Sequence, residues 1–213
     1  MAEHKIPEQI VAAPMCTAAE APKRVRCTPG YYAIFIDDPY ALPVPFQNLL
    51  VQRRTKVIYI GIATRSLYKR LVEQDLLHQH PSTFFRGLGA ILGYRPPIGS
   101  LVGKANRNNY RFNVIDTAAI RTWIREHMSV SWAEANPALE EFERLLIRKY
   151  SPIINTHDNP APLPELADLR QECRIIASTA LSGTDSLARP TSKPRTGLSR
   201  KSAMTASGPE TSG

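Results

Sequence analysis

Short hydrophobic runs alternate with amphipathic stripes between residues 30 and 160, and this pattern predicts a single folded domain. Four runs have the β-branched and aromatic content or the strict alternation of strands. They are YYAIFI at 31–36, KVIYI at 56–60, RFNVI at 111–115 and SVSW at 129–132. A long proline-containing connection joins the first two runs.

Helical spacing of apolar residues fills the intervals between these runs. The predicted helices cover 66–77, 82–92, 116–127 and 137–150, with N-caps at Ser82, at Asp116 or Thr117, and at Asn136. Helices that alternate irregularly with a few strands indicate an α+β fold. We expect a small antiparallel sheet of three core strands plus one extra strand, supplied by 111–115, flanked by helices.

The flanking segments lack this periodicity. Residues 1–28 contain several prolines and are predicted to form a loosely ordered N-terminal arm before the domain at 29–160. Residues 161–213 begin with one short helical candidate and continue as a basic stretch rich in Ser, Thr, Pro and Gly, which is typical of a disordered tail.

Charge is concentrated inside the domain. The whole chain carries a formal charge of +8, whereas residues 53–125 carry 13 Lys or Arg against three acids, a balance of +10. Such a surface attracts polyanions, nucleic acid first, although a merely solvated basic surface has the same composition. Three widely spaced cysteines, no membrane-length apolar run and no signal-peptide pattern favour a cytoplasmic protein.

Two polar residues are placed where apolar ones are expected. Tyr59 interrupts an aliphatic strand that stops at Gly61 and is followed by Arg65, Lys69 and Arg70. Glu143 lies on or beside the apolar stripe of the last helix, formed by Leu139, Phe142, Leu145 and Leu146. A carboxylate at a buried stripe requires a cation or hydrogen-bond donors, so Glu143 is either an internal salt-bridge partner of an arginine or a metal ligand.

Other candidate motifs carry less weight. The glycines at 87, 89 and 93 follow no strand and have the wrong spacing for a dinucleotide-binding loop. His78 and His80 form an HxH pair without an obvious third metal ligand, and no cysteine has a neighbouring base.

The chain resembles the GIY-YIG nuclease family over roughly residues 30–156. The resemblance rests on Gly30-Tyr31-Tyr32, on a complete Tyr59-Ile60-Gly61, and on Arg70 in the following helix. It extends to FERLLIRKYSPIIN, which supplies Glu143, Pro152 and Asn155. The chain departs from the pattern at Ile62, where many relatives have lysine, and at Gln74, where some have His or Tyr. Residues 94–127 are interpreted as an insertion.

The resemblance implies a metal-dependent endonuclease that hydrolyses phosphodiester bonds in DNA, with double-stranded DNA as the expected partner. Glu143 would hold one Mg²⁺ or Mn²⁺, Arg70 would clamp the phosphate, and Tyr32 or Tyr59 would position water and take its proton. Asn155 would orient groups near the metal or tie down its own loop. Contacts to DNA are expected from the basic side chains of Arg65, Lys69, Arg86, Arg107, Arg111, Arg121 and Arg125.

Two alternatives stay open at the level of sequence. The protein binds nucleic acid on this scaffold with little or no cleavage, or it is an interaction protein whose basic tail does the binding. Restriction, repair, recombination and mobile-element cleavage are all compatible with the residues.

Overall fold

The computed structural model of the protein describes residues 9–134 and 139–180 of the 213-residue chain. Its elements in chain order are α1 (Gln9–Ala12), β1 (Cys16–Thr17), α2 (Ala21–Arg24), β2 (Gly30–Ile36), a short 3₁₀ turn (Pro39–Ala41), α3 (Phe46–Arg53), β3 (Val57–Ala63), a π-helix (Tyr68–Leu76), α4 (Thr83–Ile91), α5 (Val114–His127), β4 (Met128–Glu134), α6 (Leu139–Tyr150) and α7 (Pro164–Ser178). Within the described ranges, no helix is long and apolar enough to cross a membrane.

The strands form one antiparallel sheet in the order β1-β4-β2-β3. The α+β class is therefore confirmed, with three core strands and a short fourth strand. The identity of the fourth strand was predicted wrongly. Residues 111–115 are not a strand, because Asn113 caps α5, its side chain accepting a hydrogen bond from the Asp116 amide at 2.7 Å. Cys16–Thr17 pairs with β4 instead.

The central strand β2 is fully buried and divides the core into two layers. Tyr32, Ile34 and Ile36 face one layer, which includes buried side chains of the π-helix, α4, α5 and α7. Tyr31, Ala33 and Phe35 face the other, where α1 and α6 pack. A bulge at Ile34/Phe35 in the β2–β3 pairing leaves Ile58 and Tyr59 both on the first layer.

The segments flanking the predicted domain are part of the packed structure. Residues 9–28, expected to be loosely ordered, place Ile10 against the sheet and Cys16 in it. At the other end α7 packs on α4, and its buried Arg170 donates hydrogen bonds to the Thr83 carbonyl of α4 at 3.4 Å and to the Ile154 carbonyl at 3.1 Å. The predicted tail beyond residue 180 and the predicted cap at Asn136 lie outside the described residues.

Two further differences concern helices. The proline-containing connection holds α3, which buries Phe46 and Leu50. In α6 the buried residues are Phe142, Leu146 and Ile147, whereas Leu145 is 38% exposed and does not belong to the buried stripe as predicted.

Candidate active site

Tyr32 and Gly61 are paired across the two central strands, and their packing explains the glycine. Tyr32 lies directly opposite Gly61 in the register of β2 and β3. A Cβ atom on residue 61 would lie 2.5 Å from the Tyr32 hydroxyl oxygen. Glycine is therefore required here so that the phenol ring can cross the neighbouring strand.

Tyr59 projects from the same face of the sheet as Tyr32, as the sequence predicts. The centroids of the two rings are 6.2 Å apart. The Tyr59 hydroxyl accepts a hydrogen bond from Arg70 Nη2 at 3.3 Å. Arg70 extends from the π-helix, so the strand and the following helix meet at this phenol.

Asp75 is the centre of the polar contacts, and the sequence analysis did not identify it. Its carboxylate is fully buried and forms an ion pair with Arg70 Nη1 at 2.8 Å. Ser82 Oγ donates a hydrogen bond to the same carboxylate oxygen at 2.7 Å, and the Tyr32 hydroxyl donates to the other oxygen. Three side chains from three different elements are thus fixed by one carboxylate.

Ser82 has a second role at this point. It is the N-cap of α4, as predicted, and its Oγ accepts a hydrogen bond from the Phe85 amide at 3.0 Å. The start of α4 is therefore linked to the π-helix through Asp75.

Burial dominates the protonation equilibria in this cluster. It raises the pKa values of Tyr32 and Tyr59 well above that of a free phenol, and the nearby Asp75 charge raises both further. Burial also raises the pKa of Asp75, while Arg70, Tyr32 and Ser82 oppose that shift by binding the carboxylate. Both phenols consequently hold their protons at neutral pH.

The two tyrosines differ in what their hydroxyl groups can reach. Tyr32 has no exposed surface and its proton is donated to Asp75. Tyr59 retains 6% exposure and its oxygen accepts from Arg70, so its own proton is not committed to Asp75.

Glu143 is half-buried on α6. Burial raises its pKa to about 7, against the opposing effect of the Arg70 charge. Among the described residues it forms no ion pair, and Arg70 pairs with Asp75 instead. The predicted salt bridge between Glu143 and an arginine is therefore not what the structure contains.

The donor chemistry around Glu143 fits a singly ligated hard cation. Within the described ranges no group of three or more His, Cys, Asp or Glu side chains could hold a metal ion. A half-buried carboxylate without a partner fits Mg²⁺ or Mn²⁺, which bind through one carboxylate while keeping several waters and taking phosphate oxygens. It does not fit a zinc site, which needs several protein ligands.

Asn155 ties its loop to the free edge of β3. Its side-chain oxygen accepts from the Ile60 amide at 2.9 Å and its nitrogen donates to the Ile60 carbonyl at 2.8 Å. The Ile154 amide adds a third bond, to the Ile58 carbonyl, at 3.0 Å. Of the two roles predicted for Asn155, these contacts correspond to the loop-tying one.

An open cavity of about 320 Å³ adjoins Arg70. The predicted DNA-binding residues Arg65 and Lys69 line it, together with His80. Ile62 and Gln74, the two positions that depart from the family pattern, also lie in its wall. The cavity therefore presents cationic side chains next to the polar cluster.

A second group of cations surrounds His78. The ring of His78 stacks on Phe85 with centroids 4.2 Å apart, and the charges of Arg111, Arg86 and Arg121 add to the effect of burial on its pKa, which is lowered to about 4. Arg111 lines a further cavity of about 520 Å³ with Lys104 and Pro81. Arg107 and Arg125 are exposed and line neither cavity.

Comparison with known proteins gives one match. The family model described as the GIY-YIG catalytic domain matches residues 30–172, which is most of the chain and includes the Tyr32, Tyr59, Arg70 and Glu143 positions. No curated protein and no solved structure matches the chain at a significant level. The matched range and the clustered motif residues agree, and the chain belongs to the GIY-YIG family of nuclease domains.

Proposed function

We propose that the protein is a divalent-metal-dependent DNA endonuclease whose catalytic residues are Tyr59, Arg70 and Glu143, with Tyr32 and Asp75 holding them in place. The observation that carries this proposal is the position of Arg70, which lines a cavity with basic walls, donates a hydrogen bond to Tyr59 and interacts electrostatically with Glu143, a carboxylate without an ion-pair partner among the described residues. Hydrolysis of a phosphodiester requires charge neutralisation at the phosphoryl oxygens, a positioned water and help for the leaving group.

Arg70 is suited to clamp the scissile phosphate. Two of its five N–H groups are used by Asp75 and Tyr59, and the remaining ones are available because the side chain is 28% exposed and lines the cavity. Since Asp75 fixes the plane of the guanidinium, the remaining donors are preorganised for an anion.

Glu143 would hold the Mg²⁺ or Mn²⁺ ion. When bound, such an ion supplies Lewis-acid stabilisation of charge on the phosphoryl group. Burial raises the pKa of Glu143 more than the Arg70 charge lowers it, so a bound cation would stabilise the ionised carboxylate.

Tyr59 is the better candidate to position the attacking water and take its proton. Its hydroxyl oxygen lies beside the positive Arg70, which favours the phenolate that a base must become. Tyr32 donates its proton to a carboxylate inside the core, which disfavours the phenolate and suits a positioning role.

Double-stranded DNA would lie over the two cavities that adjoin Arg70 and Arg111. His80 lines the first and its neighbour Pro81 lines the second, so the basic walls are contiguous. Arg65, Lys69 and Arg111 line this path and would contact phosphates along it. Arg86 and Arg121 lie near His78 but line neither cavity, so their DNA contacts, like those of Arg107 and Arg125, remain predictions from sequence.

A plasmid cleavage assay tests the proposal. Wild-type protein should nick or linearise supercoiled DNA in the presence of Mg²⁺, and Glu143→Gln should lower the rate by about 10²-fold or more. The substitution should leave folding and DNA binding intact, because the Glu143 side chain has no partner among the described residues to lose. Wild-type turnover by Glu143→Gln in Mg²⁺ would exclude Glu143 as the metal ligand.

A second candidate function is nucleic-acid binding with little or no cleavage. It is favoured by Ile62, which places an apolar side chain in the cavity wall where many relatives have lysine. In that case wild type and Glu143→Gln should bind DNA equally and neither should cleave it in Mg²⁺ or Mn²⁺.

A further inference from the structure

A stack of aromatic rings joins the end of the π-helix to the connection before α5. The ring of His78, two residues after the π-helix, stacks on Phe85 of α4 with centroids 4.2 Å apart. Phe85 in turn lies 6.4 Å from Phe112, whose ring is 5.8 Å from that of Tyr110. The guanidinium carbon of Arg86 lies 5.7 Å from the centroid of the Tyr110 ring. These contacts hold His78 and Arg86 near each other.

Two further arginines lie around the same histidine. Arg111 directly precedes Phe112 in the connection, and Arg121 lies on α5. The charges that act on the His78 ring among the described residues are those of the three arginines, and all of them are positive. The residues of this His78 cluster are His78, Arg86, Arg111 and Arg121.

Several nitrogen atoms of the His78 cluster are buried without a hydrogen-bond partner. Within residues 9–134 and 139–180, this holds for both ring nitrogens of His78, which is 8% exposed, for Nη1 of Arg86 and for Nε of Arg121. No ion pair in these ranges involves any of the three arginines. Buried polar atoms without a partner are rare in folded proteins because they lose the hydrogen bonds that water would make. An anion would supply the acceptors that these donors need.

The cluster reaches solvent through Arg111. This side chain is exposed and lines the cavity of about 520 Å³, together with the cationic Lys104. Arg86 and Arg121 are half-buried, so each keeps part of its surface. The planar guanidinium group matches the spacing of phosphate oxygens, so a phosphate that enters this cavity meets a suitable donor at Arg111.

The positive surroundings of His78 disfavour its protonated form. Burial and the charges of the three arginines lower its pKa to about 4. A phosphate beside the arginines would offset their charges, and a phosphate oxygen bonded to the ring would also offset the effect of burial. Both effects raise the pKa of His78, so phosphate binding and proton uptake favour each other.

We propose that the His78 cluster binds a backbone phosphate of DNA and that His78 gains a proton from solvent when this phosphate binds. The inference rests on the proposed function and adds a pH-dependent contact outside the polar cluster around Arg70. Proton uptake forms one N–H bond on the imidazole and changes no bond of the DNA. A free inorganic anion offers the same charge and oxygen acceptors, so the experiment separates these two sources.

The test is equilibrium binding of a duplex of about 30 base pairs, measured by fluorescence anisotropy without divalent metal at pH 5.5 and 7.5 and constant ionic strength. The duplex has 5′-hydroxyl ends, because a terminal phosphate would itself titrate near pH 6. The probe variant is His78→Asn, in which Asn tolerates the φ of 49°. His127→Asn is the matched control for the other histidines, because His127 packs beside Trp123 at the end of α5. Circular dichroism confirms folding at both pH values.

The expected effect follows from proton linkage. A rise of the His78 pKa from about 4 to about 6 makes binding about fourfold tighter at pH 5.5 than at pH 7.5, and a rise to about 6.5 makes it about tenfold tighter. The ratio of the two affinities should therefore be about fourfold to tenfold larger in wild type than in His78→Asn. His127→Asn should keep the wild-type ratio. Arg121→Gln should weaken binding at pH 7.5 and lower the ratio, because it removes one of the charges that phosphate offsets.

A second measurement follows His78 in the wild-type protein and does not depend on a variant. At pH 5.5, the ring C–H signals of ¹³C-labelled histidine that show contacts to Phe85 should be those of a neutral imidazole in the free protein. Saturating duplex should convert most of this population to the protonated form. Sodium sulfate is the probe for a free inorganic anion.

Any of four results would overturn the inference. The first two are an equal affinity ratio in wild type and His78→Asn, and a His78 ring that stays neutral at pH 5.5 in saturating duplex. The third is protonation of His78 by sulfate but not by duplex, which would indicate a site for a small free anion. The fourth is a failure of the duplex to bind at either pH. Binding without cleavage in Mg²⁺ would contradict the endonuclease proposal alone, because this binding is measured without metal.

Discussion

Replacing Asp75 with Asn tests whether the buried carboxylate positions Arg70. Asn has nearly the same shape as Asp but carries no charge, and its NH₂ group would face a donor on one side of the site. Arg70 Nη1 at 2.8 Å and Ser82 Oγ at 2.7 Å both need the acceptor that Asp75 Oδ1 provides, and the Tyr32 hydroxyl needs the other oxygen. At least one of these donors would lose its partner in Asp75→Asn.

The expected loss of stability follows from burial. Removing one member of a buried ion pair costs about 3–5 kcal/mol, because the other charge is left without compensation. The Arg70 side chain is 28% exposed and can recover part of its hydration, so we expect the free energy of unfolding to fall by about 2–3 kcal/mol. Urea denaturation monitored by circular dichroism measures this change.

The effect on the reaction should exceed what destabilisation explains. If Arg70 is clamped by Asp75, the single-turnover rate with saturating DNA should fall at least about tenfold under conditions where Asp75→Asn is fully folded. Ser82→Ala is the matched control. It removes the hydrogen bond from the uncharged Ser82 hydroxyl to the same carboxylate and the cap of α4, at about 1–2 kcal/mol each, but leaves the ion pair of Arg70 in place.

Asp75→Asn and Ser82→Ala should therefore be destabilised to a similar extent but cleave DNA at different single-turnover rates. Ser82→Ala should cleave near the wild-type rate and Asp75→Asn should not. If both variants cleave alike, or if Asp75→Asn keeps the wild-type rate, Asp75 only stabilises the fold and Arg70 needs no positioning partner.

Three further predictions concern the phosphate clamp, the basic surface and the buried histidine. Arg70→Lys keeps the charge but loses the fork of donors that reaches Asp75 and Tyr59 together, so its single-turnover rate should stay about 10²-fold below wild type. Arg121→Ala should instead weaken DNA binding and keep the rate at saturating DNA. Wild-type cleavage by Arg70→Lys would refute the role of Arg70 as the phosphate clamp. The basic block 53–125 should give a slope of log affinity against log salt of about −4 or steeper, and a nearly flat dependence would argue against nucleic acid as the partner. The pKa of His78 is lowered to about 4, below the value of about 6.5 in the unfolded chain. The unfolded state therefore binds the extra proton between these values, so the free energy of unfolding should decrease, by up to about 3 kcal/mol, as the pH falls from 6.5 to 4. His78→Asn, which tolerates the φ of 49° at this position, should lose that part of the pH dependence, and an unchanged profile would contradict a neutral buried His78.

The strands that carry the tyrosines were predictable because their hydrophobic pattern and the turn residues beside them both predict strands at the same positions. β2 and β3 are rich in β-branched and aromatic residues, β4 alternates serine with larger side chains over residues 128–132, and in β2 every residue is buried. The segment 111–115 has the same local alternation but no neighbouring strand to pair with. Phe112 is buried by aromatic contacts with Phe85, Tyr94 and Tyr110, while Ile115 is 80% exposed at the start of α5. Alternation alone does not tell a strand from an extended segment that precedes a capped helix.

Elements that depend on distant contacts were harder to predict. The two-residue strand β1 has no local pattern and exists because Cys16 and Thr17 pair with Val130 and Ser129. α3 was hidden by the prolines before it, although Phe46 and Leu50 have helical spacing. β1 forms because β4 has an edge to pair with, and α3 forms because it covers part of the core. Sequence periodicity contains no information about either contact.

At the site, too, the sequence pattern identified some residues and not others, as Glu143 and Asp75 show. Glu143 was identified because a carboxylate beside a buried stripe requires an explanation. Asp75 meets the same criterion, since it follows Leu71 by four residues and Val72 by three, and both of those side chains are buried.

A carboxylate beside a buried stripe would have pointed to Asp75, but it would not have identified Arg70 as its ion-pair partner. In an α-helix, residues five apart point about 140° away from each other, so Arg70 and Asp75 would not meet. The segment is wound as a π-helix, in which each amide bonds to the carbonyl five residues earlier, as the Leu77 amide does to Val72 at 2.9 Å. This winding brings Asp75 under Arg70, so that a buried acid and a partly exposed base form an ion pair. The phosphate clamp proposed here therefore depends on a helix geometry that hydrophobic periodicity cannot distinguish from an ordinary α-helix.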